Sequence, residues 1–314
     1  MRINKYTVTL VTILFLTVNL WADYTFTTFS HPDSSTLTNA YDINNDGVVV
    51  GYYQDSSRKT CAFSYQDGVF TDTTYPGDYE NNNHSINNNG QIAGYYYEPG
   101  PKTSPFHSYV YDQSSGFNIQ QYPEAVKEAI HGINDNGDTV GWAWMESGFL
   151  SYSCLNGTFQ ELCSSNGDMI YAEAINNQSV IVGGSSLSGS MRGFINDNGN
   201  YTYLEHPDAD GYTLINGIND AGQLVGMYRT GSDWSSWEYH GFIYEDGTFL
   251  EISVPGLNNS NTICHGINEY GDIVGTYRND QGQTCGFIAT IPEPATVLLL
   301  SSGMLCLINR RKHK

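Results

Sequence analysis

A β-hairpin can be read directly from the segment Gly217-Ile218-Asn219-Asp220-Ala221-Gly222-Gln223-Leu224-Val225-Gly226-Met227-Tyr228. An apolar residue ends one strand, a polar turn closes on a Gly that accepts a positive φ, and a second strand leaves with alternating apolar side chains. The chain contains six copies of this hairpin. The other five begin at Ile43-Asn44, Ile86-Asn87, Ile133-Asn134, Ile175-Asn176 and Ile267-Asn268. Only the Ile175 copy replaces the Gly, with Ser179. The spacings of 43, 47, 42, 43 and 49 residues are typical of propeller blades.

Each full repeat contains four strand signals, which in the fifth copy fall at 213–218, 223–228, 240–244 and 248–253. The second pair of strands is joined by Asp246-Gly247, a dipeptide that favours a two-residue hairpin turn. The same kind of turn recurs at Asp67-Gly68, Asn156-Gly157 and Asn198-Gly199. The repeat therefore predicts a four-stranded antiparallel sheet for each blade.

The sixth copy lacks its fourth strand, and residues 24–30 form a strand signal with no hairpin partner of their own. We expect this first strand to complete the last blade, because closing the ring removes an exposed sheet edge and fixes the chain ends. The prediction is an all-β, six-bladed β-propeller over residues 23–290, closed by its N-terminal strand. A β-solenoid of the same repeats is the alternative, but it leaves the split repeat unexplained.

A Gly recurs inside the second strand of every repeat. A Gly within a strand usually marks a close approach of another backbone. We expect these positions to lie where neighbouring blades crowd toward the axis. They are Gly51, Gly94, Gly141, Gly183, Gly226 and Gly275.

Both ends of the chain differ from the repeats. Residues 1–22 read as a secretory signal peptide, with Arg2 and Lys5, an apolar run over 8–20, and Ala22 at the expected cleavage site. An N-terminal membrane anchor is the alternative, but the run is short for a span. At the other end, residues 291–314 combine Pro-Glu-Pro, an apolar segment and a basic tail.

Charge limits the partners of the folded region. The whole chain of 314 residues has a net charge of −20, and residues 23–290 hold 32 of the 33 acidic but only 7 of the 13 basic residues. A body with a net charge of −25 repels nucleic acid and anionic lipid headgroups. Cations and neutral polar surfaces such as polysaccharide are better matched to it.

The third strands share a pattern of small and aromatic residues. We place its six copies at Cys61-Ala62-Phe63, His107-Ser108-Tyr109, Ser147-Gly148-Phe149, Arg192-Gly193-Phe194, His240-Gly241-Phe242 and Cys285-Gly286-Phe287. Together with the Ile-Asn-x-x-Gly hairpin, this pattern resembles the HAF repeat of bacterial extracellular proteins. The resemblance covers residues 24–290.

The C-terminal segment resembles a PEP-CTERM sorting signal. It contains the motif Pro292, Glu293 and Pro294, an apolar stretch over 295–308, and a basic tail that includes Arg310, Arg311 and Lys312. The resemblance implies a Gram-negative bacterium, processing by an exosortase, and delivery to the cell surface or the exopolysaccharide matrix. Prolines end the sheet, about 14 mostly apolar residues can enter a bilayer as a helix, and the basic tail stays on the cytoplasmic side. A buried C-terminal helix is the alternative, but it would bury the basic tail too.

Two metal sites can be considered from the sequence. The segment 42–47 matches the first half of a Ca²⁺ loop, but Tyr53 stands where the bidentate Glu belongs, so turn chemistry is the better interpretation. Six residues two positions before each repeat Ile would ring the channel. A polar lining without metal is favoured there, because ligands around a propeller axis are too far apart for bonds of about 2 Å. They are Tyr41, His84, His131, Glu173, Asn216 and His265.

Cysteines and acids supply the remaining candidates. Cys154 and Cys163 flank the Asn156-Gly157 turn, and an exported protein meets oxidising conditions, so a Cys154–Cys163 disulfide is predicted. No catalytic motif, metal site or cofactor site is assigned. Acids that depart from the repeat are Glu124, Glu128, Glu146 and Asp208.

The expected function is that of an exported structural or binding propeller that is anchored for a time in the inner membrane by its C-terminus and is processed by an exosortase. Its partners would be exopolysaccharide or an envelope protein, since aromatic faces stack on sugars. A polysaccharide-active hydrolase or lyase is the alternative, because two carboxylates could face each other at the channel mouth.

Overall fold

The computed structural model describes residues 24–291, except 78, 99–104, 165–166, 188 and 258–260. The described residues form 24 strands in six antiparallel sheets of four. The innermost strands of successive sheets contact one another in a closed circle, and the sixth contacts the first. The prediction of an all-β, six-bladed β-propeller is confirmed.

The blades follow one another along the chain. Blades 1 to 3 consist of β2 (Thr38–Ile43), β3 (Val49–Gln54), β4 (Thr60–Gln66), β5 (Val69–Asp72); β6 (Glu80–Ile86), β7 (Ile92–Tyr97), β8 (Phe106–Asp112), β9 (Gly116–Ile119); and β10 (Lys127–Ile133), β11 (Thr139–Met145), β12 (Gly148–Leu155), β13 (Thr158–Leu162). Blades 4 to 6 consist of β14 (Met169–Ile175), β15 (Ile181–Leu187), β16 (Ser190–Asp197), β17 (Asn200–Leu204); β18 (Thr213–Ile218), β19 (Leu224–Thr230), β20 (Glu238–Glu245), β21 (Thr248–Ile252); and β22 (Thr262–Ile267), β23 (Ile273–Arg278), β24 (Thr284–Thr290), with β1 (Thr25–Phe29) as the outer strand.

The first strand closes the ring, as predicted. Strand β1 pairs antiparallel with β24, from Thr25 opposite Thr290 to Phe29 opposite Gly286. Phe29 is buried and stacks on Tyr65 of blade 1 with ring centroids 4.3 Å apart. Its ring occupies the space where a Cβ on Gly286 would lie, at 2.6 Å. The first strand is therefore part of blade 6 and also packs against blade 1.

Every inner strand contains a β-bulge, which corrects the prediction made for the strand glycines. The register between the first and second strands shifts once in each blade, in blade 1 between Ala40 and Asp42. A Cβ on Gly51 would lie 1.9 Å from the carbonyl oxygen of Asn39, in the same blade. The other five glycines meet the bulged strand of their own blade in the same way. The expectation of crowding between neighbouring blades at these positions was wrong: Gly is needed because the bulge pushes a carbonyl against the second strand.

Neighbouring blades instead crowd at the residue just before the repeat Ile. A Cβ on Gly217 would lie 2.8 Å from the carbonyl oxygen of His265, and one on Gly266 would lie 2.5 Å from Oδ1 of Asp42. Asp42 therefore fits in blade 1 because the facing position of blade 6 is a Gly.

The turns follow the sequence prediction. The hairpin Gly has a positive φ in five blades, from 75° at Gly47 to 81° at Gly222. In blade 4, where Ser179 replaces the Gly, the φ of Ser179 is 62°. In blades 1, 3, 4 and 5 the second turn has a positive φ at both central residues, for example 48° at Asp246 and 82° at Gly247, as a type I′ turn requires.

One buried aromatic ring from each third strand forms the core of its blade. Each of these rings lies opposite the strand Gly and has an exposed fraction of 0%. They are Phe63, Tyr109, Tyr152, Phe194, Phe242 and Phe287. In blade 3 the ring is Tyr152 and not Phe149. The predicted copy at Ser147-Gly148-Phe149 was three residues too early, because Gly148 (φ 131°) belongs to the turn that begins this strand.

The signal peptide (1–22) and the sorting motif with its tail (292–314) lie outside the described residues. Within the part of the chain that the structure describes, there is no helix with the length and hydrophobicity of a membrane span.

Candidate functional site

A closed ring of six asparagines joins the hairpin turns at one end of the propeller. The Asn after each repeat Ile donates its side-chain amide to the backbone carbonyl of its counterpart in the next blade. The six donors are Asn44, Asn87, Asn134, Asn176, Asn219 and Asn268, with N···O distances from 2.9 to 3.4 Å. The side-chain oxygen stays in its own turn; that of Asn44 accepts the backbone N–H groups of Asp46 and Val48. The repeated Asn is therefore a link between blades as well as a turn residue.

The next residue along the chain forms a second closed ring. Its backbone N–H donates to a side-chain oxygen in the following blade, at 2.7 to 3.0 Å. Its members are Asn45, Asn88, Asp135, Asn177, Asp220 and Glu269. The Asn177 amide also donates to Asp135 (2.9 Å) and Asp220 (2.8 Å). The two rings line a cavity of about 80 Å³, in which the side chains of Asp135, Asp220 and Glu269 accept backbone N–H groups of the preceding blade.

Two of the side chains considered for Ca²⁺, Asp42 and Asn44, are likewise engaged within the protein. Oδ2 of Asp42 accepts from the Ser85 hydroxyl (2.6 Å) and the Ile86 N–H (2.9 Å). Oδ1 of Asn44 accepts from its own turn. The geometry of this segment is that of a turn and a blade contact, which favours turn chemistry over a Ca²⁺ loop.

The six residues predicted to ring the channel are the extra residues of the six bulges. A bulge re-aims one side chain, and here all six meet around the axis: Tyr41, His84, His131, Glu173, Asn216 and His265. The Tyr41 ring lies between His84 and His265, with centroids 4.3 and 4.7 Å away. His84 stacks on His131 at 4.4 Å, and Nδ1 of His131 is 2.7 Å from Oε2 of Glu173. All six predicted residues therefore surround one cavity, and five of them are in contact, whereas the Asn216 amide donates to the backbone carbonyl of Cys264 at 2.8 Å.

Burial keeps part of this ring uncharged. It lowers the pKa of His84 well below its usual value and that of His265 to about 4, and it raises the pKa of Tyr41. His265 also contacts the Thr276 hydroxyl at 3.2 Å. No group of three His, Cys, Asp or Glu side chains among the described residues is arranged to hold a metal ion.

Of the four acids that depart from the repeat, Glu128 is buried, whereas Glu124, Glu146 and Asp208 are exposed. A carboxylate oxygen of Glu128 accepts the backbone N–H of Tyr122. In blades 1 and 5 a threonine hydroxyl accepts the corresponding backbone N–H. In blade 5, for example, the Thr213 hydroxyl accepts the N–H of His206 at 3.0 Å. Burial raises the pKa of Glu128 to about 7. The position indicates a structural role.

The predicted disulfide is corrected by the strand register. Cys154 lies opposite Phe159, whereas Leu162, the neighbour of Cys163, lies opposite Ser151. The two cysteines are therefore offset along the strands and not opposite each other. Both are free thiols, Cys154 buried and Cys163 exposed.

A second cavity, of about 280 Å³, lies between blades 4 and 5 at the end opposite the asparagine rings. It is bordered by the start of β16, the start of β18 and the connection between the two blades. The polar residues that line it include Ser190, Arg192, Glu205, His206, Tyr212 and Thr213. We call it the inter-blade pocket.

The guanidinium of Arg192 is held in the wall of this pocket. Its Nη2 lies 2.7 Å from Oδ2 of Asp168, whose side chain has an exposed fraction of 0%. Its Cζ lies 3.7 Å from the centre of the Tyr203 ring. The Ser185 hydroxyl donates to the same Asp168 oxygen at 3.0 Å. An ion pair and a stacked ring together fix the orientation of the planar cation.

Three polar atoms of this cluster are buried and have no hydrogen-bond partner in the described part of the chain. They are Nε of Arg192, Oδ1 of Asp168 and the hydroxyl of Tyr203. A buried polar atom without a partner costs about 1–3 kcal/mol, and these three atoms have almost no accessible surface, so they lie behind the wall of the inter-blade pocket.

A second stacked arginine stands beside the pocket. Cζ of Arg229 lies 4.9 Å from the centre of the Tyr212 ring and 4.1 Å from that of Trp237. Trp237 belongs to the connection between β19 and β20, which also carries Trp234 with an exposed fraction of 82%. The N–H of Gly231 donates to Oδ2 of Asp210 at 2.8 Å and so ties this connection to the loop between the blades.

Sequence reasoning placed Arg192 in a third strand but did not identify it as a site residue. A signal was present, because Arg192 is the only arginine among the residues at this cross-strand position of the repeat. The other blades have Cys61, His107, Leu150, His240 and Cys285 there. Asp168, its partner, lies 24 positions earlier and before the repeat begins.

No protein-family model matches the chain, and no curated protein matches it in sequence. Solved structures do match in fold. A lectin from Aleuria aurantia in complex with Fucα1-6GlcNAc aligns over 81% of this chain and 91% of its own, with 14% identity and a TM-score of 0.50. A gluconolactonase from Xanthomonas campestris aligns over 86% of this chain and 90% of its own, with 11% identity and a TM-score of 0.51.

A sialidase from Trypanosoma rangeli aligns over 89% of this chain, with 8% identity and a TM-score of 0.51, but this chain spans only 58% of the sialidase. At these identities the likenesses show the propeller fold alone. They include both a binding protein and enzymes, so function has to be argued from the site.

Proposed function

We propose that this chain is an exported propeller that binds carbohydrate at the inter-blade pocket and acts in the envelope or extracellular matrix without catalysing a reaction. The observation that carries the proposal is the inter-blade pocket itself, a cavity of about 280 Å³ whose lining includes Arg192, Glu205 and Tyr212. A sugar supplies many hydroxyl groups, each of which donates and accepts, and this matches a lining that contains both a donor, the Arg192 guanidinium, and an acceptor, the Glu205 carboxylate.

Aromatic surface around the pocket supports a sugar ligand. Tyr212 lines the pocket, and both Tyr212 and Trp237 lie next to the Arg229 guanidinium. Sugar rings present C–H groups that pack on aromatic faces, while their hydroxyls reach polar atoms at the edge. The solved lectin that matches this fold was crystallised with a fucose-containing disaccharide, which fits the proposal at the level of the scaffold.

Catalysis is the second candidate, and the pocket chemistry favours binding over it. Glycoside hydrolysis normally needs two carboxyl groups about 5–9.5 Å apart, facing each other across the scissile bond. Among the described residues that line the inter-blade pocket, Glu205 is the carboxylate. The nearby Asp168 carboxylate is engaged by Arg192 and Ser185.

Export and processing are proposed from the two ends of the sequence. The signal-like residues 1–22 direct the chain out of the cytoplasm, and the apolar segment 295–308 with its basic tail holds the C-terminus in the inner membrane. An exosortase then cleaves near Pro292, Glu293 and Pro294 and releases the propeller toward the surface or the exopolysaccharide matrix. The acidic charge of the body suits a neutral polysaccharide better than an anionic one.

Two measurements test this function separately. The purified protein is applied to a broad glycan array, where we expect binding to a subset of glycans; silence on every glycan would remove the carbohydrate role. In cells that have an exosortase, replacing Pro292, Glu293 and Pro294 by Ala should leave the chain unprocessed in the inner membrane. Equal release of the variant and the wild type would contradict the sorting role.

A further inference from the structure

We propose that aromatic side chains at the end of the propeller opposite the asparagine rings form a second carbohydrate site, which holds an extended chain of an uncharged polysaccharide. This inference rests on the carbohydrate-binding function and adds a polymeric ligand and the residues that hold it. We call the surface the aromatic shelf. Its six rings are Tyr97, Phe106, Trp142, Trp144, Phe149 and Tyr171.

The aromatic shelf is a departure from the repeat. Three positions lie on one face of each blade at this end: the residues one and three places after the strand Gly, and the third-strand residue opposite the latter. Blades 2 and 3 have aromatic residues at all three positions, whereas blade 6 has two threonines and an arginine. They are Tyr95, Tyr97 and Phe106 in blade 2, Trp142, Trp144 and Phe149 in blade 3, and Thr276, Arg278 and Thr284 in blade 6. Because blade 6 forms without such rings, the fold of a blade does not require them.

The rings of the shelf form a continuous line across three blades. The centroid of the Phe106 ring lies 4.4 Å from that of Tyr97 in its own blade and 6.0 Å from that of Trp142 in blade 3. The centroid of the Phe149 ring lies 6.0 Å from that of Trp142 and 5.2 Å from that of Tyr171 in blade 4. These are distances of rings in contact. A ligand that covers the line has to cross two boundaries between blades, so it is longer than one sugar residue.

The shelf is accessible and rigid. Trp144 has an exposed fraction of 52%, and the other five rings are half-buried. The indole Nε1–H of Trp142 donates to Nε2 of His131 at 3.1 Å, so His131 uses its Nδ1–H for Glu173. This bond fixes the indole against the channel lining. Aromatic side chains that are fixed before binding lose little conformational entropy when a ligand covers them.

The shelf meets the inter-blade pocket in blade 4. Tyr171, the last ring of the shelf, lies opposite Gly184. A Cβ on Gly184 would lie 2.6 Å from Sδ of Met191, and Met191 lines the pocket. Blades 2 and 3 have Tyr95 and Trp142 at the position of Gly184. The shelf and the pocket are therefore neighbours, and one polysaccharide chain can occupy both.

Charge selects the polymer. With 32 acidic and 7 basic residues, the region 23–290 has a net charge of −25, which repels nucleic acid, anionic lipid, polyuronates and a second copy of the chain. Within the shelf, Nζ of Lys127 lies 4.9 Å from the centre of the Phe106 ring, and this charge disfavours a cationic polymer. An uncharged polysaccharide meets neither repulsion. Its C–H groups pack on the ring faces while its hydroxyls reach polar groups at the edges.

The test is titration calorimetry on the purified protein at pH 7, with saccharides of one, three and six units. The neutral probes are the cello-, malto-, laminari-, manno- and xylo-oligosaccharides, and oligogalacturonate is the charged comparison. We expect the hexamer of at least one neutral series to bind at least about tenfold more tightly than its monosaccharide and than the galacturonate hexamer. Neutral hexamers that bind no better than their monosaccharides would overturn the inference, as would a galacturonate hexamer that binds as tightly as the best neutral one.

Two variants locate the polymer. Trp144→Ala removes the most exposed ring, and Phe106→Thr introduces the residue that blade 6 has at this position. Each should weaken the binding of the hexamer about five- to tenfold and leave that of the monosaccharide unchanged. Tyr270→Ala is the matched control, because Tyr270 is an exposed aromatic residue in a hairpin turn at the asparagine-ring end, and it should bind the hexamer as the wild type does. Thermal unfolding of each variant checks folding. Should Phe106→Thr fail to fold, the exposed Trp144 decides the question alone.

The outcomes separate the shelf from the inter-blade pocket. If monosaccharides and hexamers bind equally well and neither shelf variant changes this, the shelf holds no polymer while the pocket keeps its function. If no saccharide binds, both proposals fail. If hexamers do not bind, and the wild type but not Trp144→Ala dimerises or captures an envelope protein, the shelf is a protein interface and the inference is wrong.

Discussion

The side-chain amide of Asn268 donates a hydrogen bond to the backbone carbonyl of Asn44, 3.3 Å away in space and 224 positions earlier in the chain. The bond is one of six equivalent links between blades, but the other five join blades that are consecutive in sequence. It therefore closes the circle at the turn end, on the inner side of the sheets, while β1 closes it on the outside.

The Asn268 link gives the first prediction. Asn268→Asp keeps the acceptor for its own turn, removes the donor to Asn44, and places a carboxylate where the amide now lies 3.0 Å from Oδ2 of Asp272. We expect a loss of about 2 kcal/mol in the free energy of unfolding at pH 7. Asn44→Asp is the control: its amide donates to Asn87 at 3.4 Å, so the loss should be smaller. Equal losses in chemical denaturation would contradict the account.

Phe29 provides the second prediction, because it joins blade 6 to blade 1. Phe29→Ala removes the ring that packs on Tyr65 and over Gly286 and should cost about 3–5 kcal/mol. Hydrogen exchange should become faster in β24, the strand to which β1 is bonded. The exposed Thr27→Ala in the same strand should change neither quantity. Unaltered exchange in β24 of the Phe29 variant would mean that the first strand does not hold the ring closed.

Ser179 is the third case. Its φ is 62°, a backbone conformation that residues other than Gly adopt at a cost of about 1–2 kcal/mol. Ser179→Gly should therefore stabilise the protein by about 1 kcal/mol, measured as a higher denaturation midpoint. The reverse change, Gly222→Ser, should destabilise by a similar amount, since a Cβ there meets nothing within 4 Å and only the backbone is strained. The same sign of effect for both substitutions would contradict this.

Glu128 predicts a pH dependence. Burial raises its pKa from 4.5 to about 7, so the folded protein binds this proton more tightly than the unfolded chain does. The stabilising contribution is complete below about pH 4.5 and is lost as the pH rises through 7. Glu128→Gln should match the wild type near pH 4.5 and exceed it by about 3 kcal/mol at pH 8. The exposed Glu124→Gln should shift stability little at either pH. A constant difference between Glu128→Gln and wild type across this range would refute the titration of Glu128.

Much of the fold is predictable because its signals are local. A hairpin requires a turn residue at a fixed offset, so the six Ile-Asn segments and the Asp-Gly turns identify their own strands. The closing strand follows from a count, since residues 24–30 match the strand that the sixth copy lacks.

The errors have a different origin. The role of Gly51 depends on the bulge at Tyr41, and no residue type predicts a bulge. Gly148 was mistaken for the Gly of the repeat because the turn before it is short. The ion pair between Asp168 and Arg192 was not predicted, because the two residues come together only when the blade has formed. Unpartnered atoms are visible only once every neighbour is in place.

The position of β1 also sets the order in which the molecule can be completed. Among the strands of the propeller β1 is synthesised first, yet its bonding partner, β24, ends at Thr290. Five blades can form as the chain emerges, while the earliest segment waits for the latest. A product that is truncated before β24 therefore keeps an exposed sheet edge, and such an edge can pair with other chains. Only a chain that extends to Thr290 can cover this edge.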